Sequence, residues 1–254
     1  MSVAGDFDYE TNGSPYSSRR RADPRIERLV HEGLGPARSV VNVGAGAGSY
    51  EPAGLEVTAV EPSATMRSQR PGGHPPAIDA VAEHLPFAAN SFDAAMAMVT
   101  VHQWRDPARG LQELRRVARH RVVILTFDGD ALDRFWLARY VPELIEAERH
   151  RYPAIDRICA QLGGRAAIAA VPIPIDCTDG FTEAYYARPE MFLERDVRAS
   201  QSAWGFVTSE VTDRAVDRLR RDLRSGAWDE RYGHLRGLST FEGSLRLIVA
   251  ELTD

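Results

Sequence analysis

The stretch VVNVGAGAGS at positions 40–49 decides the fold of this chain. Its β-branched apolar half is typical of a strand buried on both faces of a parallel sheet, and it runs directly into three alternating glycines. Glycine lets the backbone turn tightly and approach a ligand, because no Cβ stands in the way. A second apolar run, VTAV at 57–60, ends in the acid Glu61. The two runs therefore predict neighbouring strands one and two, with a ligand lying across their carboxyl ends.

The ligand predicted at these strand ends contains a nucleoside, because a carboxylate that ends strand two can bind both hydroxyls of a ribose. Dinucleotide enzymes carry the pattern G-x-G-x-x-G, in which the third glycine allows close packing of the helix on its strand. Here Ser49 occupies that third position, and the spacing is G-x-G-x-G instead. The spacing argues against an enzyme that uses NAD or a nucleotide sugar, which stays as the alternative from another enzyme class.

Two later segments complete a set of motifs in a fixed order. Residues 82–87 read AEHLPF, and SFD at 91–93 opens a further predicted strand after a short polar turn. Together with the glycine loop and Glu61, these segments resemble the class I S-adenosylmethionine-dependent methyltransferases, and more narrowly their small-molecule "type 11" group. The resemblance covers roughly residues 14–127, with a weaker echo at the C-terminus. It implies S-adenosylmethionine as the cofactor and a small molecule as the methyl acceptor.

The resemblance also implies which residues surround the cofactor. Glu61 would hold the ribose hydroxyls, while Tyr16 and Arg20 would fold over the cofactor, the guanidinium facing the methionyl carboxylate. Pro62 and Met66 would flank the adenine. The remaining implied contacts belong to the glycine loop, the AEHLPF segment and the fourth strand: Gly44, Ala45, Gly46, Gly48, Ala82, Glu83, Met98 and Val99.

Two positions depart from the pattern of the family. Many relatives carry an acid where this chain has Asn42, and another where it has Val81. The first acid would attract the ammonium group of the cofactor, and the second the amino group of its adenine, for which Glu83 is a nearby substitute. These departures keep open a second alternative, a regulatory protein that binds the cofactor on the same fold without catalysis.

The predicted catalytic residue is His102, in the segment TVHQW at 100–104 that follows the fourth strand. Methyl transfer to a hydroxyl or a carbon acid requires removal of a proton, and imidazole titrates near neutrality. The same histidine could instead hydrogen-bond the backbone at the strand end, so both interpretations stay open. Methyltransferases of nucleobase or glutamine amides carry an Asn/Asp-Pro-Pro-aromatic element here. Its absence favours transfer to oxygen first and to carbon second.

Aromatic residues in the C-terminal half predict a pocket for a flat or apolar substrate. Helical patterns near 131–165 and 180–236 are expected to form a lid over the carboxyl edge of the sheet. The predicted substrate contacts are Trp104, Trp136, Tyr140, Asp179 and Tyr185. Ordinary packing is the alternative for the aromatic residues, and a turn is the alternative for the acid.

Strands that alternate with helices predict a doubly wound α/β fold. The Rossmann-like methyltransferase fold implies a mostly parallel sheet of seven strands, with strand three near 77–80 and strand six at 170–175, where prolines suit an edge. Residues 1–130 would form an N-terminal arm and the cofactor-binding half. Residues 131–254 would supply the lid insertions and the last strands, within one catalytic domain.

Composition excludes several classes of function. The 254 residues carry a net charge of −5, and all 31 residues counted as Lys+Arg are arginine, so no lysine is available for a Schiff base or a phosphate loop. The chain has only one basic run, at 19–21, and this is too little for an extended contact with a phosphate backbone, so nucleic acid is not expected as a partner. No apolar stretch approaches the roughly 20 residues of a membrane span, and no signal-peptide pattern is seen, so a cytoplasmic location is expected.

Cysteine and histidine spacing predicts no metal site. The two cysteines, Cys159 and Cys177, are too scattered for a zinc site or a disulfide framework, and the histidines show no ligand spacing. Reduced thiols are therefore expected. The oligomeric state, the methyl acceptor and the pathway stay open at this point.

Overall fold

The computed structural model describes residues 20–252. Its strands are β1 (Ser39–Val43), β2 (Glu56–Val60), β3 (Phe92–Met98), β4 (Ala118–Phe127), β5 (Arg165–Ala170), β6 (Ile173–Pro174), β7 (Thr240–Phe241) and β8 (Leu245–Glu251). Its α-helices are α1 (Pro24–Leu34), α2 (Ala64–Ser68), α3 (Pro107–Val117), α4 (Pro142–Arg151), α5 (Ile155–Leu162), α6 (Arg195–Ala199), α7 (Ser209–Ser225) and α8 (Ala227–Tyr232). Short 3₁₀ turns connect many of them.

Six strands form one sheet in the order β2-β1-β3-β4-β8-β5, while β6 and β7 form a separate pair. The pairs β1–β2, β1–β3 and β3–β4 are parallel, and β8 runs antiparallel to both β4 and β5. The predicted doubly wound, mostly parallel α/β fold is confirmed. The strand order reverses between β1 and β3, and in open α/β sheets such a switch point leaves a crevice at the carboxyl ends.

Helices cover both faces of this sheet because adjacent strand residues point to opposite sides. On one face, α1 begins at the N-cap Asp23 and buries Ile26, Val30 and Leu34 in a cluster with Val40. On the other face, α3 and α5 bury their apolar residues in a second cluster with β1, β3 and β4. Within residues 20–252, no helix has the length and apolar character needed to cross a membrane.

The predicted strand three near 77–80 is not a full strand, so the main sheet has six strands and not the predicted seven. Ile78 forms a single parallel bridge to Val60, through hydrogen bonds between its backbone and Ala59 and Glu61. Two prolines at 75–76 precede it and donate no N–H, and the Ile78 side chain is 39% exposed, so burial gives the segment little stabilisation.

The predicted bounds of strand six, 170–175, are also wrong. The edge strand β5 starts five residues earlier, directly after a Gly163–Gly164 turn in which both φ angles are positive, at 63° and 69°. Prolines at 172 and 174 then remove two ladder donors, and the chain leaves the main sheet to form the small β6–β7 pair.

The predicted lid segments divide between two layers. Helix α5 packs on α3 against the sheet, so residues 155–165 belong to the sheet-covering layer rather than to a lid. Residues 127–152 and 181–203 instead wall a cavity at the carboxyl edge. Helices α7 and α8 pack behind that wall, where the rings of Trp136 and Trp228 lie 5.5 Å apart in an edge-to-face contact.

A fully buried carboxylate ties the 181–186 segment to the start of β8. Glu183 accepts hydrogen bonds from the backbone N–H of Ser244 at 2.9 Å and from its hydroxyl at 2.8 Å. Burial raises the pKa of Glu183 to about 7, and the hydrogen bonds from Ser244 only partly oppose this effect. The folded protein therefore holds a proton at Glu183 that the unfolded chain releases at lower pH.

Replacing Glu183 by glutamine is expected to change how stability depends on pH. Because the pKa is raised from 4.5 to about 7, the contribution of Glu183 is present below pH 4.5 and is lost as the pH rises through about 7. The free energy of unfolding of the parent should therefore fall, relative to Glu183→Gln, by on the order of 3 kcal/mol across this window. Denaturant titrations of both proteins at several pH values measure the difference, and parallel pH profiles would contradict it.

Candidate functional site

A cleft of about 500 Å³ opens at the carboxyl ends of β1, β2 and β3. Seven of the residues predicted to contact a cofactor line this cleft together: Gly44, Ala45, Gly46, Glu61, Met66, Met98 and Val99. The other lining residues are Asn42, Ala47, Ser49, Thr100 and Gln103. The topology thus brings the glycine loop, the acid after β2 and the end of β3 to one place, as their positions at parallel strand ends require.

The glycine loop needs glycine at alternate positions for two reasons. Gly44, Gly46 and Gly48 have φ angles of 71°, 51° and 95°, in the left-handed region that favours glycine. A Cβ on Gly44 would also lie 2.1 Å from the Thr100 hydroxyl oxygen, and one on Gly48 would lie 2.7 Å from His74 Nδ1. A residue larger than glycine at 44 or 48 would therefore have an unfavourable φ angle and would collide with Thr100 or His74.

Glu61 holds this bend through its carboxylate. One oxygen accepts a hydrogen bond from the backbone N–H of Gly46 at 2.8 Å, and the other accepts one from Ser63 at 2.8 Å. Burial raises the pKa of Glu61, while these two N–H groups lower it. Each carboxylate oxygen has a second lone pair, so Glu61 keeps acceptor capacity for ligand hydroxyl groups.

Asn42 places an unpaired acceptor in the cleft. Its amide nitrogen donates to Glu51 at 3.0 Å, and this bond orients the side chain so that Oδ1 is the atom left without a partner. Glu51 is itself buried and paired with Arg70 at 2.7 Å and with His74 at 3.0 Å, and the pKa of Glu51 is lowered by these donors despite its burial. A buried acceptor without a donor favours a cationic or N–H-bearing ligand group beside it.

The other predicted cofactor residues lie outside this cleft or outside the described chain. Tyr16 falls outside the described residues. Gly48 and Pro62 adjoin lining residues, and Ala82 is buried in the apolar cluster that contains Val60. Glu83 accepts from the backbone N–H of Asp106 at 3.0 Å, near the start of α3. Val81, where relatives carry an acid, is 39% exposed.

Arg20 lies beside a second cavity instead. Its guanidinium pairs with the buried carboxylate of Asp179 at 2.5 Å, and Tyr50 donates to the same carboxylate at 2.7 Å. Asp179, predicted as a substrate contact, is therefore used to join Arg20 to the end of the glycine loop. The three residues connect segments more than a hundred positions apart in the chain.

The second cavity, here called the inner cavity, has a volume of about 590 Å³ and is walled mainly by apolar and aromatic side chains. They are Val99, Phe127, Leu132, Phe135, Leu144, Ile145, Tyr152, Phe181 and Ala203. The polar lining residues are Arg20, His102, Gln103, Glu148, Thr182, Glu183, Gln201 and Ser202. Val99 and Gln103 line both cavities, so the cleft and the inner cavity meet at the end of β3.

The predicted base, His102, lies in the wall of the inner cavity. It is 6% exposed, its ring centroid is 4.5 Å from that of Tyr152, and its Nδ1 has no hydrogen-bond partner. Burial lowers the pKa of His102 well below its usual value, and the nearby cations Arg151 and Arg20 lower it further. Burial and these two cations therefore favour the neutral form of the imidazole.

The remaining predicted substrate contacts lie outside the inner cavity. Trp104 packs against α3, where a Cβ on Gly110 would lie 2.4 Å from its ring. Trp136 is buried and donates to the Tyr186 carbonyl at 2.9 Å. Tyr140 donates to Asp222 at 2.9 Å, and Tyr185 packs with its ring centroid 5.6 Å from that of Phe192.

Sequence reasoning missed several residues of the inner cavity, among them Tyr152, Glu148, Gln103 and Gln201. Tyr152 donates to Glu148 at 3.2 Å. Glu148 also forms an ion pair with Arg151, so the charges of Glu148 and Arg151 compensate each other. Gln103 adjoins the predicted base in sequence, and this adjacency was an available signal. Gln201 and Tyr152 lie far from any motif. Across residues 20–252, no cluster of three His, Cys, Asp or Glu side chains forms that could hold a metal ion.

Comparisons with known proteins agree with this geometry. A family model described as a methyltransferase domain matches residues 41–126. An uncharacterized methyltransferase of Mycobacterium tuberculosis is 34% identical over 227 residues, which are 83% of this chain and 84% of that protein. The demethylmenaquinone methyltransferase of Renibacterium salmoninarum is 37% identical over 105 residues, and the match spans 37% of this chain and 44% of that protein.

A solved structure extends the likeness through both halves of the chain. It is a protein described as a methyltransferase from an antibiotic biosynthesis pathway of Anabaena variabilis, 30% identical in sequence, with a TM-score of 0.85. The match covers 92% of this chain and 99% of that one. The likeness therefore extends over most of the length of both chains.

Replacing Gly44 by alanine is expected to lower the free energy of unfolding by about 2–4 kcal/mol, because the new Cβ meets Thr100 and the φ angle is positive. Gly54→Ala is the matched control, since a Cβ there has nothing within 4 Å and its φ is ordinary. Denaturant titrations measure both. Equal stability of the two variants would show that the bend does not require glycine at position 44.

Proposed function

Because the chain belongs to the class I S-adenosylmethionine-dependent methyltransferases of the type 11 group, we propose that it methylates a small, largely apolar molecule bound in the inner cavity. Oxygen is the first choice of acceptor atom and carbon the second. The observation that carries this proposal is the junction at Val99 and Gln103, where a cofactor-type cleft meets an aromatic cavity. The antibiotic biosynthesis pathway of the Anabaena protein supports a biosynthetic role for this chain.

The residues of the cleft fit the cofactor of the family. Glu61 has acceptor capacity for ribose hydroxyls, and the unpaired Asn42 Oδ1 suits the ammonium group of the methionyl end. Met66, which would flank the adenine, adjoins the glycine bend, since a Cβ on Gly46 would lie 3.3 Å from Met66 Cε. S-adenosylmethionine, when bound, supplies an electrophilic methyl group on a positively charged sulfur.

His102 would remove the proton of the acceptor hydroxyl. For Nδ1 to accept that proton, the neutral imidazole must carry its own hydrogen on Nε2. The amide nitrogen of Gln103 lies 3.4 Å from Nε2, so this amide must be flipped by 180° for its oxygen to accept that hydrogen. Gln103 would thus set the tautomer, while the apolar walls exclude water from the reacting groups.

Charge in the inner cavity favours a neutral acceptor molecule. Arg20 is paired with Asp179, and Glu148 is paired with Arg151, so the charges of these four residues are largely balanced. The aromatic walls contribute apolar surface, and Tyr152 and Phe127 pack edge to face with their centroids 5.4 Å apart. A flat, neutral molecule with a hydroxyl group would match both properties.

Replacing Glu61 by glutamine is expected to weaken binding of S-adenosylhomocysteine by about 1.5–3 kcal/mol, because a charged acceptor is lost. Glu56→Gln is the matched control, since Glu56 is exposed at the other end of β2. Calorimetry with S-adenosylhomocysteine and with NAD measures the effect, together with the melting temperature, because Glu61 also holds the loop. Unchanged affinity in the Glu61 variant would refute the role of Glu61 in ribose binding. Tight binding of NAD alone would refute S-adenosylmethionine as the ligand of the cleft.

Replacing His102 by alanine is expected to lower turnover on the order of 10²-fold or more if it acts as the base. Affinity for S-adenosylhomocysteine should not change, because His102 does not line the cleft. His84→Ala is the control, since His84 is exposed. Turnover is measured with an acceptor found in a panel of phenols and other hydroxyl compounds. Near-normal turnover would leave His102 only its packing role against Tyr152.

A further inference from the structure

Gln201 is a buried polar residue of the inner cavity that the proposed reaction does not use. It lies between α6 and the 3₁₀ turn Ser202–Phe206, and it is 4% exposed. Its backbone conformation is extended, with φ −118° and ψ 118°, so the side chain reaches the cavity from an ordinary geometry. The role of this amide therefore has to be sought in its hydrogen bonds.

Two donors determine which way the Gln201 amide faces. Its Oε1 accepts from the Thr182 hydroxyl at 3.0 Å and from the Trp204 indole Nε1 at 3.3 Å. An indole N–H can donate but cannot accept, so the amide atom next to it must be the oxygen. The nitrogen Nε2 is consequently turned the other way, and it is buried without any hydrogen-bond partner.

A buried N–H group without an acceptor is unfavourable, because it has lost its bonds to water and gained none in the protein. Apolar side chains such as Phe181 and Ala203 line the inner cavity with Gln201, and no described residue accepts from its Nε2. A site of this kind distinguishes strongly between ligands that supply the missing polar partner and ligands that do not. The missing partner of an N–H donor is an acceptor oxygen.

We propose that Gln201 determines the specificity of the inner cavity, and that Nε2 donates to a carbonyl oxygen of a neutral, phenol-type methyl acceptor. This inference rests on the proposed function, since it names the substrate class of the same cavity. Carboxylate or phosphate groups do not suit the cavity, because the described cations Arg20 and Arg151 are already paired and the walls include the carboxyl groups of Glu148 and Glu183.

The test uses two probes that differ in one carbonyl group. Full-length protein loaded with S-adenosylhomocysteine is titrated with 4-hydroxyacetophenone and with 4-ethylphenol, and binding is followed by ligand-observed NMR below neutral pH. The parent should bind the ketone about tenfold more tightly, as expected for one added hydrogen bond. Gln201→Met should remove this preference, because methionine keeps the shape of the side chain and lacks the N–H donor.

Gln112→Met is the matched control, since Gln112 is exposed on α3, and it should keep the tenfold preference. If Gln201→Met does not fold, the contact is tested in the parent protein through the NMR resonance of the Gln201 side-chain amide. The ketone should shift this resonance, and 4-ethylphenol should not.

Three results would overturn the inference while the proposed function stands: equal binding of both probes, binding of neither by loaded parent protein, or a preference that survives in Gln201→Met. Failure of the parent to bind S-adenosylhomocysteine at all would instead overturn the proposed function, and this inference with it. The cofactor measurement therefore separates the two failures.

Discussion

The bond between the Glu61 carboxylate and the Gly46 backbone is the interaction on which the site depends. It joins the end of β2 to the bend that follows β1, and the N–H groups of Gly44 and Ala45 add two bonds to the Val60 carbonyl at 2.9 Å. These hydrogen bonds hold the loop against the end of β2, rather than against a helix that follows it. Its shape follows from the sheet, in which β1, β3 and the second half of β4 are largely buried.

The junction of the two cavities has a similar origin. Val99 follows β3 with a φ of 53°, which is unusual for a β-branched residue, and its N–H donates to the Leu125 carbonyl at 2.7 Å. This conformation turns the chain out of the sheet and into the 3₁₀ turn Val101–Gln103. Strained backbone of this kind persists only where the surroundings impose it, and here the pairing of β3 with β4 does so.

The cleft could be predicted from the sequence because its parts are local. The glycine loop follows β1 and Glu61 follows β2. Because these two parallel strands are neighbours, the two features lie side by side without any contribution from distant segments. The inner cavity could not be predicted in this way, because Phe127, Phe181 and Gln201 meet only through the tertiary fold. Trp136 and Phe181 are both aromatic residues in irregular segments, yet one fills the packed layer behind the cavity and the other lines it. The prediction of strand three was wrong for a different reason: Ile78 lies at an exposed edge of the sheet, where burial of its side chain adds little stabilisation.

Asp179 shows that the two cavities are not independent. Its carboxylate accepts from Tyr50, which ends the glycine bend with a φ of 65°, and from Arg20, which lines the inner cavity. One buried carboxylate therefore joins the end of the bend to the wall of the inner cavity. Both bonds lie in a region of low exposure, where electrostatic interactions are stronger than in water.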